Sequence, residues 1–270
     1  MKQQDWLGYH GKQVIVVGCH SGIGKATAQA LAELGAHVHG MDWQPCDTDM
    51  ARFTHVDLRS KESIEAAVRE VEGSYSSLFN CAGIAPGRPP LDVVKVNFLG
   101  TRYLTAGIAP AIEAGGSIVN VASTGGMAWL ERSAALGELM GHEDFDDALA
   151  WCDEHASLVA EGYRFSKEAA IYWTLFEASR YIKRGIRMNC TLPGAVATPM
   201  LEEIEKITPT DVIDRVAQPI GRRSAAVEQA AVLLFLNSIQ ASYVNGAVVA
   251  VDGGFTGCGL LAQRAKAPVG

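Results

Sequence analysis

No run in this chain is apolar for long enough to cross a membrane, and the opening stretch MKQQDWLGYHGK lacks the apolar centre of a secretion signal. The expected location is therefore the cytoplasm. Positive charge is in the minority, with 23 Lys and Arg against 30 Asp and Glu and a net charge of −7, so nucleic-acid backbones and anionic membrane surfaces are poor partners. Small molecules suit such a surface better. The six cysteines, at 19, 46, 81, 152, 190 and 258, form no CxxC pair and no zinc spacing, and they read as reduced, mostly buried small side chains. Repeats, low-complexity tracts and Pro/Gly-rich linkers are absent as well, so residues 1–270 are expected to form a single domain.

What the chain does have begins at QVIVVGCHSGIG, residues 13–24. Val14 to Val17 form an apolar run too short for a helix and mostly β-branched, the pattern of a parallel strand covered on both faces. Gly18 ends it. Ile23, Ala26, Thr27, Ala30, Leu31 and Leu34 then recur at helical spacing, and the intervening glycines leave backbone N–H groups and a helix N-terminus open to a pyrophosphate. A second strand, Ala36 to Met41, closes on Asp42, 18 positions after Gly24. An acidic group there accepts hydrogen bonds from ribose hydroxyls and repels a 2′-phosphate, which favours NAD over NADP.

Alternation of strand and helix continues to the end of the chain. Strands are expected at Phe53–Val56, Ser77–Asn80, Ser117–Ala122, Ile186–Leu192 and Ala247–Val251. Helices are expected at Ser60–Glu72, from Pro90 through Leu104, at Gly162–Arg184 and at Ala226–Leu236. Helical pattern also runs from Met200 to about Ala217, within a mobile-looking stretch at about 195–217, and the tail after Asp252 is glycine-rich and lightly patterned. This order specifies a doubly wound, seven-stranded parallel α/β sheet with helices on both faces. Residues 125–160 interrupt it as an insertion whose Phe145, Leu149, Cys152, Ala156 and Val159 mark an amphipathic helix. His142, Glu143, Asp146 and His155 in that insertion read as a solvated acidic face, and no metal site is expected.

Four polar residues can converge at the carboxyl ends of the strands: Asn97 from inside the helix that starts at Pro90, Ser123 from the end of a strand, and Tyr163 and Lys167 from near the start of a helix. Moving hydride from an alcohol carbon requires its O–H proton to leave, and a phenol does that near neutral pH only with help from a cation. Tyr163 and Lys167, four apart, share a helix face and supply that pair. Ser123 is placed to hold the substrate oxygen and Asn97 to seat a proton-relaying water.

Taken together, GCHSGIG, Asp42, VDL at 56–58, NCAG at 80–83, VNFLG at 96–100, SIVNVAS, YRFSK, LPGAVATP and VDGG closely resemble the short-chain dehydrogenase/reductase family over nearly the whole chain. The resemblance implies a Rossmann fold and an NAD cofactor held by Gly18, Ser21, Gly22, Ile23, Gly24, Asp42, Asp57, Leu58, Asn80, Ala82, Gly83, Tyr163, Lys167, Pro193, Gly194, Val196 and Thr198. It also implies a homodimer or homotetramer. Val17 stands where the family often has Thr, and Cys81 replaces a second Asn. The 40 positions from Ser123 to Tyr163 exceed the usual connection and look like the subgroup of 3α-hydroxysteroid dehydrogenase/carbonyl reductase and coniferyl-alcohol dehydrogenase. The implied substrate is a bulky apolar secondary or aromatic alcohol or its ketone, and Gly125, Met127, Trp129, Ala195, Met200 and Leu201 are expected to border its pocket. A dihydrodiol or sugar dehydrogenase and a non-catalytic NAD-binding regulator are the alternatives.

Overall fold

The computed structural model of the protein describes residues 5–266, so residues 1–4 of the expected lead-in and 267–270 of the expected tail lie outside it. Seven parallel strands form one sheet: β1 (Gln13–Val17), β2 (His37–Asp42), β3 (Arg52–His55), β4 (Tyr75–Asn80), β5 (Ile112–Val121), β6 (Arg187–Pro193) and, as its last member, β9 (Val248–Val251). They lie in the order β3-β2-β1-β4-β5-β6-β9, which reverses direction between β1 and β4. Two short strands, β7 (Val196–Ala197) and β8 (Ser224–Ala225), pair separately. The α/β reading of the sequence and its seven-stranded parallel sheet hold.

Alternation along β1 explains why its apolar run is unbroken. Ile15 and Val17 enter one core and Val14 and Val16 the other, so each side chain is buried whichever face it takes. Helices α1 (Gly22–Glu33) and α11 (Ala226–Asn237) cover the second core with Leu31, Leu233 and Leu234. On the opposite face lie α2 (Lys61–Arg69), α3 (Pro90–Val94), α4 (Gly100–Ile108) and α8 (Tyr163–Tyr181). Each fully buried Leu or Ile there contributes about 1.5–3 kcal/mol.

The 125–160 insertion is helical, as expected, and comprises α5 (Ser133–Met140), α6 (Phe145–Glu154) and α7 (Ala156–Val159). Leu136, Leu139, Phe145, Trp151 and Val159 extend the core around α4 and α8. Its acids serve as surface ion pairs: Asp144 and Asp146 hold Lys61, and Glu143 holds Arg180. His155 instead stacks on Trp151 with centroids 3.9 Å apart.

Besides ends shifted by a few residues, as at β3, β4 and α2, four features differ from expectation. The helix from Pro90 is interrupted by a π-turn at Lys95–Leu99, where the Gly100 N–H reaches back five residues to the Lys95 carbonyl. Strand β5 starts at Ile112, and its pairing with β4 breaks register between Tyr75 and Ser77, so Gly115 and Gly116 lie within the strand. The pattern from 200 to 217 is two helices, α9 (Pro199–Glu205) and α10 (Thr210–Val216), since Pro209 cannot continue the first. The tail forms α12 (Phe255–Lys266), opened by the Asp252 carboxylate, which accepts from the N–H groups of Gly254 and Thr256.

Candidate active site

Every parallel strand points its carboxyl end to the same edge, and the reversal between β1 and β4 opens a crevice there. A cavity of about 460 Å³ occupies it. Its floor is the turn between β1 and α1. Gly18 has φ +85°, and a Cβ on it would run into the backbone of Ala82. A Cβ on Gly24 would strike the Gly18 carbonyl, so Gly24 packs the turn from behind and does not line the cavity. Ser21 caps α1 without a side-chain hydrogen bond, and the first turn of α1 holds no acid. The N–H groups at that terminus are therefore available to an anion.

Asp42, at the end of β2, is 8% exposed and accepts from the backbone N–H groups of His20 at 2.9 Å and Gln44 at 3.0 Å. Its carboxylate thus faces the cavity from a fixed position. Trp43 and Arg59 flank it, the guanidinium 5.7 Å from the indole centroid. Arg59 is also bound bidentately to Asp57, and this holds the Asp57 carboxyl below its usual range.

The opposite end is built from β5 and α8. Ser123 heads a 3₁₀ turn, Thr124–Gly126, and its Oγ accepts from the Gly125 N–H at 3.1 Å, which fixes the hydroxyl. Tyr163 and Lys167 occupy the first and second turns of α8, and all three line the cavity. Burial pushes the Tyr163 phenol above its ordinary value, while a hydrogen bond with Ser123 pulls the other way. Burial also brings the Lys167 ammonium down to about 8. Lys167 Nζ lies 5.6 Å from the Tyr163 ring centroid and donates to the Val121 carbonyl at 2.9 Å.

Asn97 and Asn80 act from behind this surface. Inside the π-turn, Asn97 Oδ1 accepts from Ile84 N–H at 2.7 Å and Nδ2 donates to the Ile84 carbonyl at 3.1 Å and to Ser166 Oγ at 3.3 Å. Its side chain fixes the loop after β4, and its neighbour Val96 meets the cavity. Asn80 Nδ2 donates to Thr105 Oγ1 and Asn120 Oδ1, tying β4 to α4 and β5. Gly18, Ser21, Gly22, Ile23, Leu58, Ala82, Gly83, Pro193, Gly194, Val196 and Thr198 all reach the lining. Thr198 additionally caps α9.

The rest of the lining is largely apolar, formed by Ile84, Ala85, Val96, Met200, Leu201 and Ile204, together with the charged Arg88, Asp92 and Glu203. Met200 and Leu201 stand where expected. Gly125 stands beside the Ser123 and Tyr163 side chains, where an added Cβ would be 3.5 Å from Ser123 Oγ. Met127 and Trp129 do not line the cavity; they pack towards α8, Trp129 edge-on against Tyr172 at 6.0 Å. Ala195 borders a separate cavity of about 410 Å³ beside Gln229 and Asp252. Sequence reading missed His20, Trp43 and Arg59, whose only signal was proximity to the glycine turn, to Asp42 and to Asp57, and it missed Arg88, Asp92 and Glu203, which carried no such signal.

A dinucleotide fits this donor set, with uncapped helix N–H groups for a pyrophosphate, a fixed carboxylate for ribose hydroxyls and a buried ammonium at the far end. Comparison with known proteins agrees. Residues 12–135 match the family description "short chain dehydrogenase", and residues 153–256 match "Enoyl-(Acyl carrier protein) reductase". Coniferyl-alcohol dehydrogenase of Pseudomonas sp. (strain HR199 / DSM 7063) is 35% identical over 244 residues, covering 90% of this chain and 96% of that protein. The 3-alpha-hydroxysteroid dehydrogenase/carbonyl reductase of Comamonas testosteroni is 30% identical over 249 residues, covering 89% and 95%. The crystal structure of 3-alpha-hydroxysteroid dehydrogenase from Pseudomonas sp. B-0831 complexed with NADH superposes with a TM-score of 0.78 at 29% identity, covering 94% and 99%. Fold and site therefore define an NAD(P)-dependent oxidoreductase. The chain belongs to the short-chain dehydrogenase/reductase family.

Proposed function

We propose that this single-domain protein is an NAD(H)-dependent dehydrogenase or ketone reductase for bulky apolar secondary or aromatic alcohols. The observation that carries this reading is one cavity lined by Asp42 from the end of β2, by Ser123, Tyr163 and Lys167 from β5 and α8, and by the apolar Ile84, Ala85, Val96, Met200, Leu201 and Ile204. Asp42 supports NAD because a 2′-phosphate would meet a carboxylate, and the nearby Arg59 is already neutralised by Asp57. The apolar wall supports a hydrophobic substrate, in keeping with the names of the coniferyl-alcohol and hydroxysteroid enzymes.

When bound, the nicotinamide supplies the acceptor or donor of hydride. The protein handles the proton. Ser123, held by Gly125, donates a hydrogen bond to the substrate oxygen and fixes it beside Tyr163. In the oxidising direction the Tyr163 phenolate takes the hydroxyl proton, and in the reducing direction the phenol gives it back. Lys167 holds the phenolate by charge and binds the ribose hydroxyls of the cofactor. Asn97 keeps the 81–85 loop in place, so that Gly83 and Ile84 present a fixed wall.

The test is to incubate the purified protein with NAD and separately with NADP, against steroid, monoterpene, aromatic and sugar alcohols, following the absorbance of the reduced cofactor. Turnover with NAD and an apolar alcohol is the expected result. Preference for NADP would overturn the role of Asp42, and turnover confined to sugars would overturn the substrate class.

A further inference from the structure

Helix α9 closes one side of the cavity but is lightly held. Of its seven residues, Leu201 alone is buried. The helix nevertheless makes two ion pairs, from residues two positions apart. Glu203 accepts from Arg88 Nη2 through both oxygens, at 3.0 and 3.2 Å, and Glu205 pairs with Arg223. Two positions are about 200° of helical turn, so the acids leave opposite faces of α9. Arg223 belongs to the body beside β8. Arg88 belongs to the loop after β4, across the mouth of the cavity, and both Arg88 and Glu203 line that mouth.

Other contacts follow the same line. Ile207, just after α9, lies over Gly87, where an added Cβ would be 3.1 Å from its Cδ1. Met200 reaches towards Gly83, where an added Cβ would be 3.5 Å from its Cε. The Arg88–Glu203 bond thus draws the 83–88 loop and α9 together over the site. The residues it sets in place are Thr198 at the α9 cap and Met200 and Leu201 on the wall.

We propose that Arg88 and Glu203 form a latch, a positioning pair that holds α9 over the cleft and controls passage of cofactor and substrate. The pair touches no reacting atom. Its importance rests on the reading of the cavity as the cofactor and substrate site. Both side chains are nearly half exposed, at 49% and 44%, so the latch is salt-sensitive and opens easily.

Endoproteinase Lys-C reads the latch without any turnover, because the exposed Lys206 directly follows α9 and is cut only when that segment opens. Arg88→Gln and Glu203→Gln are each expected to speed this cut about two- to fivefold at low salt. The reversed pair, Arg88→Glu with Glu203→Arg, restores the slow rate, and high salt brings the wild type up to the single variants. Arg180→Gln, which breaks exposed pairing with Glu143 on the insertion side as well as the contact with Glu177, leaves the rate unchanged. In stopped-flow measurements NADH leaves the single variants faster by the same factor. Unchanged cutting in the single variants, or no recovery in the reversed pair, would overturn the latch. Failure of the wild type to bind NADH would instead sink the proposed function, and the cutting ratios would still decide the latch.

Discussion

Lys167 donates from Nζ to the Val121 carbonyl at 2.9 Å, so the second turn of α8 is tied to the last residue of β5. Lys167 is 3% exposed, and burial lowers its ammonium to about 8 from the 10.5 of a free lysine. Between those values the unfolded chain binds the extra proton, so this group makes stability rise with pH from 8 to 10.5 and costs the fold most below 8. Lys167→Met removes the penalty and loses one hydrogen bond. The variant is expected to be about 2 kcal/mol more stable than the wild type at pH 7, with the gap closing by pH 10.5, while turnover drops about 100-fold or more. Urea midpoints at the two pH values check the first part, and a steady-state assay checks the second.

Tyr163 tests the proton step. Its phenol is pushed up by burial and opposed by Ser123, so the neutral form dominates near neutral pH. In the proposed mechanism carbonyl reduction uses the phenol and alcohol oxidation the phenolate. Oxidation is therefore expected to accelerate as pH rises while reduction does not. Tyr163→Phe keeps the ring and its packing, so NADH binding measured by fluorescence stays within about twofold while both directions lose about 10²–10⁴ in rate. Unchanged turnover in that variant would remove Tyr163 from the mechanism.

The fold was legible because a parallel sheet buried on both faces writes each strand as an apolar run, as Val14–Val17 show, and because the glycine turn, Asp42 and the Tyr163/Lys167 spacing are local features. What was not legible depends on tertiary context. The π-turn around Asn97 is a slip of one residue in a hydrogen-bond ladder, and no side-chain period records it. Nothing local distinguishes Gly24 and Asn80, which pack and brace the turn and the sheet, from Gly22, which faces the cavity. Trp129 and Met127 follow Ser123 closely in sequence, yet the insertion turns them towards α8. Helix α12 was hidden by Gly257 and Gly259, which depress helix propensity, although Asp252 was a readable cap.

The proposed preference for NAD rests on Asp42. Its two oxygens accept from His20 and Gln44, which leaves remaining lone pairs for ribose hydroxyls. Asp42→Ala deletes a charged acceptor and the repulsion of a 2′-phosphate together. The dissociation constant for NADH is expected to rise about 10- to 100-fold, with that for NADPH rising less or falling. Titration by cofactor fluorescence measures both, and equal weakening of the two would show that the carboxylate only shapes the turn.

His39 makes the fold sensitive to acid. It lies in the middle of β2 at 2% exposure, with Nε2 2.9 Å from Thr54 Oγ1 and Nδ1 3.0 Å from the Tyr75 hydroxyl. Thr54 gives its one hydroxyl proton to Glu70 Oε2 at 2.8 Å, so towards the imidazole it can only accept. Nε2 therefore carries the ring proton and Nδ1 accepts from Tyr75. Protonating Nδ1 would force the Tyr75 hydroxyl to turn from donor to acceptor and would place a charge inside the core, and burial, with Arg52 nearby, lowers the group to about 4 from 6.5. Between 6.5 and 4 the unfolded chain binds the proton and the folded one does not, so stability falls as pH drops through that window, by up to about 3 kcal/mol. His39→Gln keeps a polar group in β2 but cannot satisfy both partners, so it is about 1–2 kcal/mol less stable at pH 7. Because Gln does not titrate, the wild type is expected to lose its advantage as the pH is lowered to 4.5. Urea midpoints for the two proteins at pH 7 and 4.5 would show the curves converging, and parallel curves would place the acid sensitivity elsewhere.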